Sequence, residues 1–248
     1  MKAVSKNGIS LITCSMDREE FLEKSFQTWI NLKEVSEIII VDWSSKKKVW
    51  NNPLFINDKV KIIRANNFHR WTLSWAYNLA ISQVSYDKVF KVDSDILVSP
   101  KFFKKYIIKD NIFYRGFWGL ARNENEMHLN GTLFCHLSNL KKVNGYNERI
   151  LSYGWDDDDL YNRLKSNGIK DLHISPNDIK HIYNEDSIRV LNQKEFSTVN
   201  EKDLNKALNY KILKNKAFSE EKPWTSKDKL KSWKVKKISK NLFSAGII

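Results

Sequence analysis

The chain has 248 residues, with 42 lysines and arginines against 29 acidic residues, which gives a formal net charge of +13. Hydrophobic residues make up 42%, and only eight glycines and four prolines occur, which argues against disordered, fibrous and repeat architectures. The two cysteines are distant in sequence, which argues against a disulfide scaffold and favours a cytoplasmic protein. The apolar runs are too short for a membrane-spanning helix. The basic balance favours anionic partners, namely nucleic acid, anionic lipid headgroups or a phosphorylated substrate.

The first half of the chain alternates predicted strands and helices. In chain order these are a strand at 9–13, a helix at 19–32, strands at 37–42 and 60–63, a helix at 71–84 and a strand at 88–92. The strands are short β-branched runs, and the helices repeat apolar residues with a helical period. This order predicts a parallel sheet covered by helices, with ligands bound beyond the carboxyl ends of the strands.

Beyond Pro100 the pattern is less regular and leads to a lysine-rich segment. A helix at 102–108, strands at 113–120 and 132–136 and a helix at 156–165 are predicted. The composition shifts near residue 200, which divides the chain into a domain at 1–200 and a C-terminal extension at 201–248. Within the extension, Lys227–Phe243 places apolar residues among lysines and predicts a basic amphipathic helix. Such a helix lies on an anionic membrane surface or packs on the core, and the sequence leaves both open.

Polar side chains follow the predicted strands at the edge where ligands bind. Thr13 ends the first strand, Asp42 ends the second, and Asp93-Ser94-Asp95 follow the fourth. Because the carboxyl ends of parallel strands share one edge of a sheet, these side chains are expected to face a common ligand. Two carboxylates one residue apart hold a hard divalent cation, which in turn neutralises a diphosphate. The position of the acids favours a metal site over a solvated loop.

A second acidic cluster lies at 156–159, where four successive aspartates follow Gly154 and Trp155. Like charges so close repel one another, and the dipole of the predicted helix offsets only part of that repulsion. Solvent, a cation or the hydroxyl groups of a sugar relieve the rest. Tyr146, Tyr153 and Trp155 present the flat faces on which sugar rings stack. The cluster therefore indicates a sugar site, with a solvated acidic helix end as the alternative.

These segments resemble a known enzyme family. The strand followed by the acids at 93–95 is similar to the DxD motif of GT-A-fold glycosyltransferases. The stretch at 144–164 (NGYNERILSYGWDDDDLYNRL) is similar to the acceptor and catalytic motif of the β-1,4-galactosyltransferase-like group and related bacterial family 2 enzymes. A segment at 68–76 (FHRWTLSWA) resembles that group's FNRxxLLN segment. The resemblance covers about residues 9 to 185 in the family's order, and the long acidic motif is its specific part.

The resemblance implies an α/β fold of the GT-A (Rossmann-like) type, with a mostly parallel central sheet flanked by helices, and the composition adds a basic helical C-terminal extension. Asp157 would be the catalytic base. The acceptor-binding residues would be Asp156, Asp158, Trp155 and Tyr153. The donor-binding residues would be Asp42, Arg70 and Asp93, together with Thr13 at the end of its strand. The metal ligands would be Asp95 and His181, with His173 as a less favoured substitute for the histidine.

The implied reaction is an inverting, metal-dependent transfer of a hexose or N-acetylhexosamine from a UDP-sugar to a glycan or glycolipid hydroxyl, in surface polysaccharide biosynthesis. Galactose and N-acetylgalactosamine are the first expectations. The cofactor would be Mn²⁺ or Mg²⁺, and an imidazole ligand favours Mn²⁺. The expected partners are a nucleotide sugar, a glycan or lipid-linked glycan, and an anionic membrane surface through Lys227–Phe243, with no nucleic acid. Trp155 and Asp156 replace a glycine and a glutamate of the family, so the acceptor is not carried over.

Three other classes of protein compete with this interpretation. A basic nucleic-acid-binding protein explains the lysine-rich C-terminus but not the acidic cluster, which repels phosphates. A metal-dependent phosphohydrolase or nuclease also uses acid clusters, but it needs more ligands, spread over several strand ends, than five histidines readily supply. A sugar-binding protein without activity would have lost Asp95 or Asp157, and both are present.

Overall fold

The computed structural model describes residues 6–248, so the first five residues of the predicted domain lie outside the described residues. The strands are β1 (Lys6–Ser15), β2 (Val35–Trp43), β3 (Val60–Ala65), β4 (Tyr86–Lys91), β5 (Ile96–Val98), β6 (Ile112–Arg115), β7 (Leu133–His136), β8 (Lys170–His173), β9 (Ile179–His181), β10 (Trp233–Lys237) and β11 (Leu242–Ile247). The helices are α1 (Glu19–Trp29), α2 (Leu73–Ser82), α3 (Phe102–Lys105), α4 (Glu124–Met127), α5 (Leu137–Lys142), α6 (Asp156–Ser166), α7 (Asp186–Arg189) and α8 (Glu201–Glu221). The predicted order of elements in the first half is confirmed.

A nine-stranded sheet forms the centre of the fold, in the order β10-β11-β3-β2-β1-β4-β7-β6-β8. β1 pairs in parallel with β2 and β4, and β3 pairs in parallel with β2 and β11. β7 is antiparallel to β4 and β6, and β10 is antiparallel to β11. β5 and β9 form a separate antiparallel pair. The predicted mostly parallel α/β sheet is therefore confirmed.

Helices cover both faces of the sheet, because its central strands are apolar on both sides. In β2, Ile38 and Ile40 belong to the same buried cluster as Phe26 of α1. Ile39, between them, belongs to the cluster that contains Tyr77 of α2. Successive side chains of a strand point to opposite faces, so a continuous apolar run requires cover on both. The carboxyl ends of the strands are left as the polar edge.

The C-terminal extension is helical only in its first part, α8. The helix predicted at Lys227–Phe243 is wrong, because this segment contains β10, a turn and the start of β11. Trp233 and Val235 pack against the core while Lys234 and Lys236 are exposed, and this period of two is typical of a strand. β11 supplies backbone partners to the edge of β3. The lysines thus lie on a hairpin that completes the sheet, and the domain division at residue 200 stays a prediction.

Candidate active site

A cleft of about 560 Å³ opens beyond the carboxyl ends of β1 and β4. Its walls come from the loop after β1, the segment after β4, the start of α6, the segment around α7 and one side of α8. Most of the predicted site residues line it, namely Asp93, Asp95, Tyr153, Trp155, Asp156, Asp157, Asp158 and His181. The fold therefore brings together residues that lie far apart in the sequence.

The structure does not bring Asp42 to the cleft wall. Its side chain is fully buried, and its two oxygens accept hydrogen bonds from the backbone N–H groups of Ser45 and Val49, at 2.9 and 3.1 Å. Arg64 Nη1 donates to Asp42 Oδ2 at 2.6 Å. With these three partners Asp42 fixes the turn after β2, and its predicted contact with the donor stays a prediction.

Thr13, Arg70 and His173 also lie outside the walls of the cleft. Thr13 is fully buried, and its hydroxyl group has no hydrogen-bond partner among the described residues. The Arg70 guanidinium donates to the carbonyl of Leu151, just before the acidic segment. His173 stacks on Phe117, with ring centroids 4.3 Å apart. The alternative histidine is therefore not placed beside Asp95.

A buried lysine joins the two acidic motifs inside the cleft. Lys91, at the end of β4, is 1% exposed. Its Nζ lies 2.9 Å from Asp93 Oδ1 and 3.3 Å from Asp157 Oδ1, and it donates to the carbonyl of Gly131 at 2.5 Å. The ammonium also lies over the Tyr77 ring, 4.5 Å from its centroid. The charge of Lys91 offsets the two carboxylates, which is the condition for burying them together.

Asp157 lies at the centre of the acidic segment with a raised pKa. Burial raises the pKa of Asp157 to about 6, although the Lys91 ammonium and the Tyr146 hydroxyl, which donates at 2.8 Å, act to lower it. Burial, together with the charge of Asp157, also raises the pKa of Asp156, and burial raises the pKa of Asp158. Burial and crowding therefore both act against the ionised form of these acids. A carboxyl group with a pKa near neutrality is suited to accept a proton.

Asp95 and His181 form a buried pair at the other end of the cleft. His181 Nε2 lies 3.3 Å from Asp95 Oδ2, which also accepts from Arg18 at 2.8 Å and from Asn184 at 3.1 Å. Burial acts to raise the pKa of Asp95, but the hydrogen bond from His181 and the charge of Arg18 hold it well below its usual range. His181 Nδ1 lies 2.6 Å from Asn125 Oδ1, an acceptor, so this nitrogen carries a proton. Nε2 therefore faces Asp95.

A divalent cation fits this pair. A carboxylate beside an imidazole whose other nitrogen is held by a neighbouring side chain is a common donor set for divalent metals. Asn184 Oδ1, in the same cluster, is a buried oxygen without a hydrogen-bond partner among the described residues. Within residues 6–248, no group of three or more His, Cys, Asp or Glu side chains is placed to hold a metal ion. Asp95 and His181 therefore fit an ion whose coordination is completed by water and an anionic ligand.

Two arginines give this end of the cleft a positive character. Arg18 Nε and Arg189 Nε are buried and have no hydrogen-bond partner in the described part of the chain. Arg189 also bonds to His128, and burial together with the charge of Arg189 lowers the pKa of His128 to about 3. Arg189 Nε lies 3.6 Å from Asp186 Oδ1, so the unpaired donor is Arg18 Nε. Since buried donors are almost always satisfied, this N–H group indicates an anionic ligand.

The turn that precedes α6 is held by α8. Trp155 has a left-handed backbone (φ 72°), which costs a non-glycine residue about 1–2 kcal/mol. Its Nε1 donates to Ser219 Oγ at 3.0 Å. Asn215 Nδ2 donates to the carbonyl groups of Tyr153 and Gly154, at 3.0 and 2.8 Å. The C-terminal helix therefore fixes the position from which the acidic segment enters the cleft.

We expect Asn215→Ala to lower the free energy of unfolding by about 1–3 kcal/mol, because two partly buried carbonyl groups each lose a hydrogen bond. The matched control is Asn209→Ala, on the same helix but exposed, which is expected to change the free energy by less than about 0.5 kcal/mol. Urea unfolding of both variants measures the difference. Equal losses would show that α8 does not stabilise the turn through Asn215.

Sequence reasoning missed several residues of the site: Lys91, Arg18, Arg189, Asn125 and Asn184. For Lys91 a signal was present, because a lysine at the end of an apolar strand that is covered on both faces needs a buried anionic partner. The other four lie on loops or in a short helix, where no periodic pattern marks a side chain as inward-facing. Their partners are distant in sequence, so only the folded chain identifies them.

Two family models match consecutive parts of the chain. The model described as Glycosyl transferase family 2 matches residues 10–109, and the model described as N-terminal domain of galactosyltransferase matches residues 120–186. The first segment contains Asp93 and Asp95, and the second contains Asp157 and His181. Each matched segment thus contributes acids to the same cleft. No curated protein matches the chain in sequence.

Solved glycosyltransferase structures share the fold. A mutant of Drosophila β-1,4-galactosyltransferase 7, in complex with manganese, UDP-Gal and xylobiose, is 15% identical with a TM-score of 0.61, over 98% of this chain and 94% of that chain. Glucosyl-3-phosphoglycerate synthase from Mycobacterium tuberculosis, in complex with Mn²⁺, UDP and glucosyl-3-phosphoglycerate, is 16% identical with a TM-score of 0.53, over 76% and 77%. A mannosyltransferase from Pyrobaculum calidifontis, in complex with GDP-Man and Mn²⁺, is 12% identical with a TM-score of 0.54, over 69% and 57%. The likeness confirms the predicted fold.

Proposed function

We propose that this chain, which belongs to the GT-A-fold glycosyltransferases of the family 2 and galactosyltransferase-like group, transfers a hexose or N-acetylhexosamine from a UDP-sugar to an acceptor hydroxyl. The observation that carries the proposal is the convergence on one cleft of a candidate metal pair, Asp95 and His181, and a buried carboxylate with a raised pKa, Asp157. The metal pair would bind the donor, and Asp157 would activate the acceptor hydroxyl.

Asp157 is the proposed general base of a single displacement with inversion at the anomeric carbon. The acceptor oxygen forms a bond to the anomeric carbon while the bond from that carbon to the UDP oxygen breaks. The proton of the acceptor hydroxyl goes to Asp157, and the electron pair of the broken bond leaves with UDP. The pKa of about 6 leaves Asp157 mostly ionised at neutral pH while it is still basic enough to take the proton.

Asp95 and His181 are the proposed ligands of a divalent cation, Mn²⁺ in the first place and Mg²⁺ in the second. Such an ion, when bound, supplies positive charge that stabilises the departing diphosphate. Of the chain's own groups, Arg18 and Arg189 lie beside the pair. The buried Nε–H of Arg18, which has no hydrogen-bond partner among the described residues, is available to a phosphate oxygen. Asp93, two residues before Asp95 and lining the same cleft, is proposed to lie near the ribose and the metal.

The acceptor is proposed to bind between the acidic segment and α8. Asp156 and Asp158 would order acceptor hydroxyl groups, and Tyr153 and Trp155 would line the sugar pocket. α8 adds exposed asparagines to this wall, with Asn209 donating to Asn205 at 3.1 Å. Amide side chains both donate and accept, which suits a ligand with many hydroxyl groups. A glycan or glycolipid is therefore the proposed acceptor class.

A cytoplasmic location on the inner face of the membrane, in surface polysaccharide biosynthesis, is part of the proposal. No helix within residues 6–248 combines the length and the apolar character needed to cross a bilayer. Lysines exposed on the hairpin of β10 and β11, including Lys234, Lys236 and Lys237, supply positive charge for an anionic lipid surface. This charge supports peripheral attachment through the hairpin rather than through a helix.

The proposal is tested by measuring UDP release across a panel of donors, with Mn²⁺ or with EDTA. The panel contains UDP-galactose, UDP-N-acetylgalactosamine, UDP-glucose and GDP-mannose, and calorimetry on the same samples measures donor binding. We expect one UDP-sugar to bind in the presence of Mn²⁺ and to be hydrolysed or transferred, and EDTA to abolish both. If no nucleotide sugar binds with or without Mn²⁺, the transferase proposal fails.

A further inference from the structure

Among the residues that the structure describes, Lys91 is the cation within hydrogen-bonding distance of Asp157. All three of its N–H donors have partners: Gly131, Asp93 and Asp157. The approach is tight, since a Cβ added at Gly131 would lie 2.1 Å from Asp93 Oδ2 and 3.1 Å from the Lys91 ammonium. A side chain at residue 131 would therefore displace the ion cluster.

We propose that Lys91 is a positioning residue that keeps the Asp157 carboxylate ionised and oriented into the cleft, and that links it to Asp93 on the donor side. The inference rests on the proposed function of Asp157 as the base. Asp93 belongs to the segment matched by the family 2 model, and Asp157 belongs to the segment matched by the galactosyltransferase model. One ammonium group thus joins the donor half and the acceptor half of the site.

The charges around Asp157 favour protonation unless Lys91 is present. The titratable and charged groups that face it from the surrounding elements are Lys91, Asp93, Tyr77, Tyr146, Tyr161, Asp156, Asp158 and Arg115. Asp93 and Asp158 act against ionisation of Asp157, and Arg115 acts on Asp158. Tyr146 contributes a neutral hydrogen bond, so Lys91 supplies the compensating charge.

Stability alone does not account for a cluster of charges at this position. Burial of charges costs desolvation that their mutual attraction often fails to exceed, and replacing all members of such a cluster together by apolar side chains is frequently no worse, whereas removing one partner alone is destabilising. Lys91 is instead placed where its charge changes the protonation of the proposed base. Its effect should therefore depend on pH, whereas a packing role should not.

The first test compares the pH profile of kcat/KM for the wild type and Lys91→Met, with the UDP-sugar that the donor panel identifies. Loss of the ammonium raises the pKa of Asp157, so the acidic limb moves from near pH 6 to a pH higher by at least about one unit. Activity should fall about fivefold or more at pH near 6, and by much less at pH near 8. Tyr146→Phe, which removes a hydrogen bond but no charge, should shift the limb in the same direction by less. A loss that is the same at every pH would overturn the inference.

The second test follows the Asp157 carboxyl group itself by ¹³C-detected titration of metal-free protein, with Asp157→Asn used to assign the signal. Lys91→Gln serves as a second variant if Lys91→Met does not fold, and both should raise the titration midpoint. An unchanged midpoint in a folded variant overturns the role of Lys91. If Asp157→Asn retains transfer, the proposed function of Asp157 fails instead, so the two failures are distinguishable.

Discussion

Asp157→Asn is expected to lower kcat for sugar transfer by about 10²–10⁴-fold, the usual range for loss of a general base. The amide occupies the same space and still accepts the hydrogen bond from Tyr146, but it cannot take the acceptor proton. Donor binding should change by less than about threefold, because the metal pair and the arginines are untouched. Initial rates of UDP release at saturating donor, and calorimetric donor titrations, measure the two quantities.

The matched control for this variant is Asp159→Asn, in the same acidic segment. Asp159 forms an ion pair with Arg163 at 2.7 Å on the side of α6 that packs on the core. Its loss should lower the midpoint of thermal unfolding and leave kcat nearly unchanged. If the two variants lose activity equally, the segment acts through its fold or its net charge, and Asp157 is not the base.

Asp95→Asn and His181→Ala are each expected to weaken Mn²⁺ binding by more than roughly 100-fold, because loss of an outer-shell partner alone costs 10–100-fold. The rate of sugar transfer should fall together with the Mn²⁺ affinity, and it should recover in part when the Mn²⁺ concentration is raised to the millimolar range. Electron paramagnetic resonance of free Mn²⁺, in the presence of UDP, measures the affinity directly. Asn125→Ala, which removes the partner of His181 Nδ1, should give a loss of about 10–100-fold.

His173→Ala is the matched histidine control for these metal-site variants. His173 stacks on Phe117 outside the cleft, so its removal should leave Mn²⁺ affinity unchanged within experimental error. If His173→Ala lost as much Mn²⁺ affinity as His181→Ala, the assignment of His181 as the histidine ligand would be wrong. Full affinity in both Asp95→Asn and His181→Ala would place the metal elsewhere in the cleft.

Much of the fold in the first half of the chain was predictable, because local patterns determine it there. The strands at Ile9–Thr13 and Glu37–Asp42 are runs of apolar residues that only a sheet covered on both faces can bury. The C-terminal segment was not predictable in the same way. Leu230 and Trp233, and again Ile238 and Leu242, have helical spacing, but the unpaired edge of β3 offers backbone partners that make a hairpin the better solution.

The acids of the candidate site were found from the sequence because they follow strands or begin a helix. Asp95 lies four residues after the end of β4, and Asp157 lies in the first turn of α6, so each position is visible in the local pattern. The contacts that fix the charge and position of this acidic segment were not visible in the sequence. Lys91 contacts Asp157 across 66 residues of chain, and Ser219 contacts Trp155 across 64.

The sequence by itself therefore determined the alternation of elements, the strand ends that carry acids and the acidic segment with its aromatic neighbours. These follow from short-range periodicity and from the rule that parallel strands end at one edge. The tertiary structure alone decided that Asp42 is buried among three hydrogen-bond partners, that Lys91 joins the two acidic motifs, and that α8 forms one wall of the cleft. The physical reason is that burial and charge pairing depend on side chains brought together by packing, and packing depends on the whole chain.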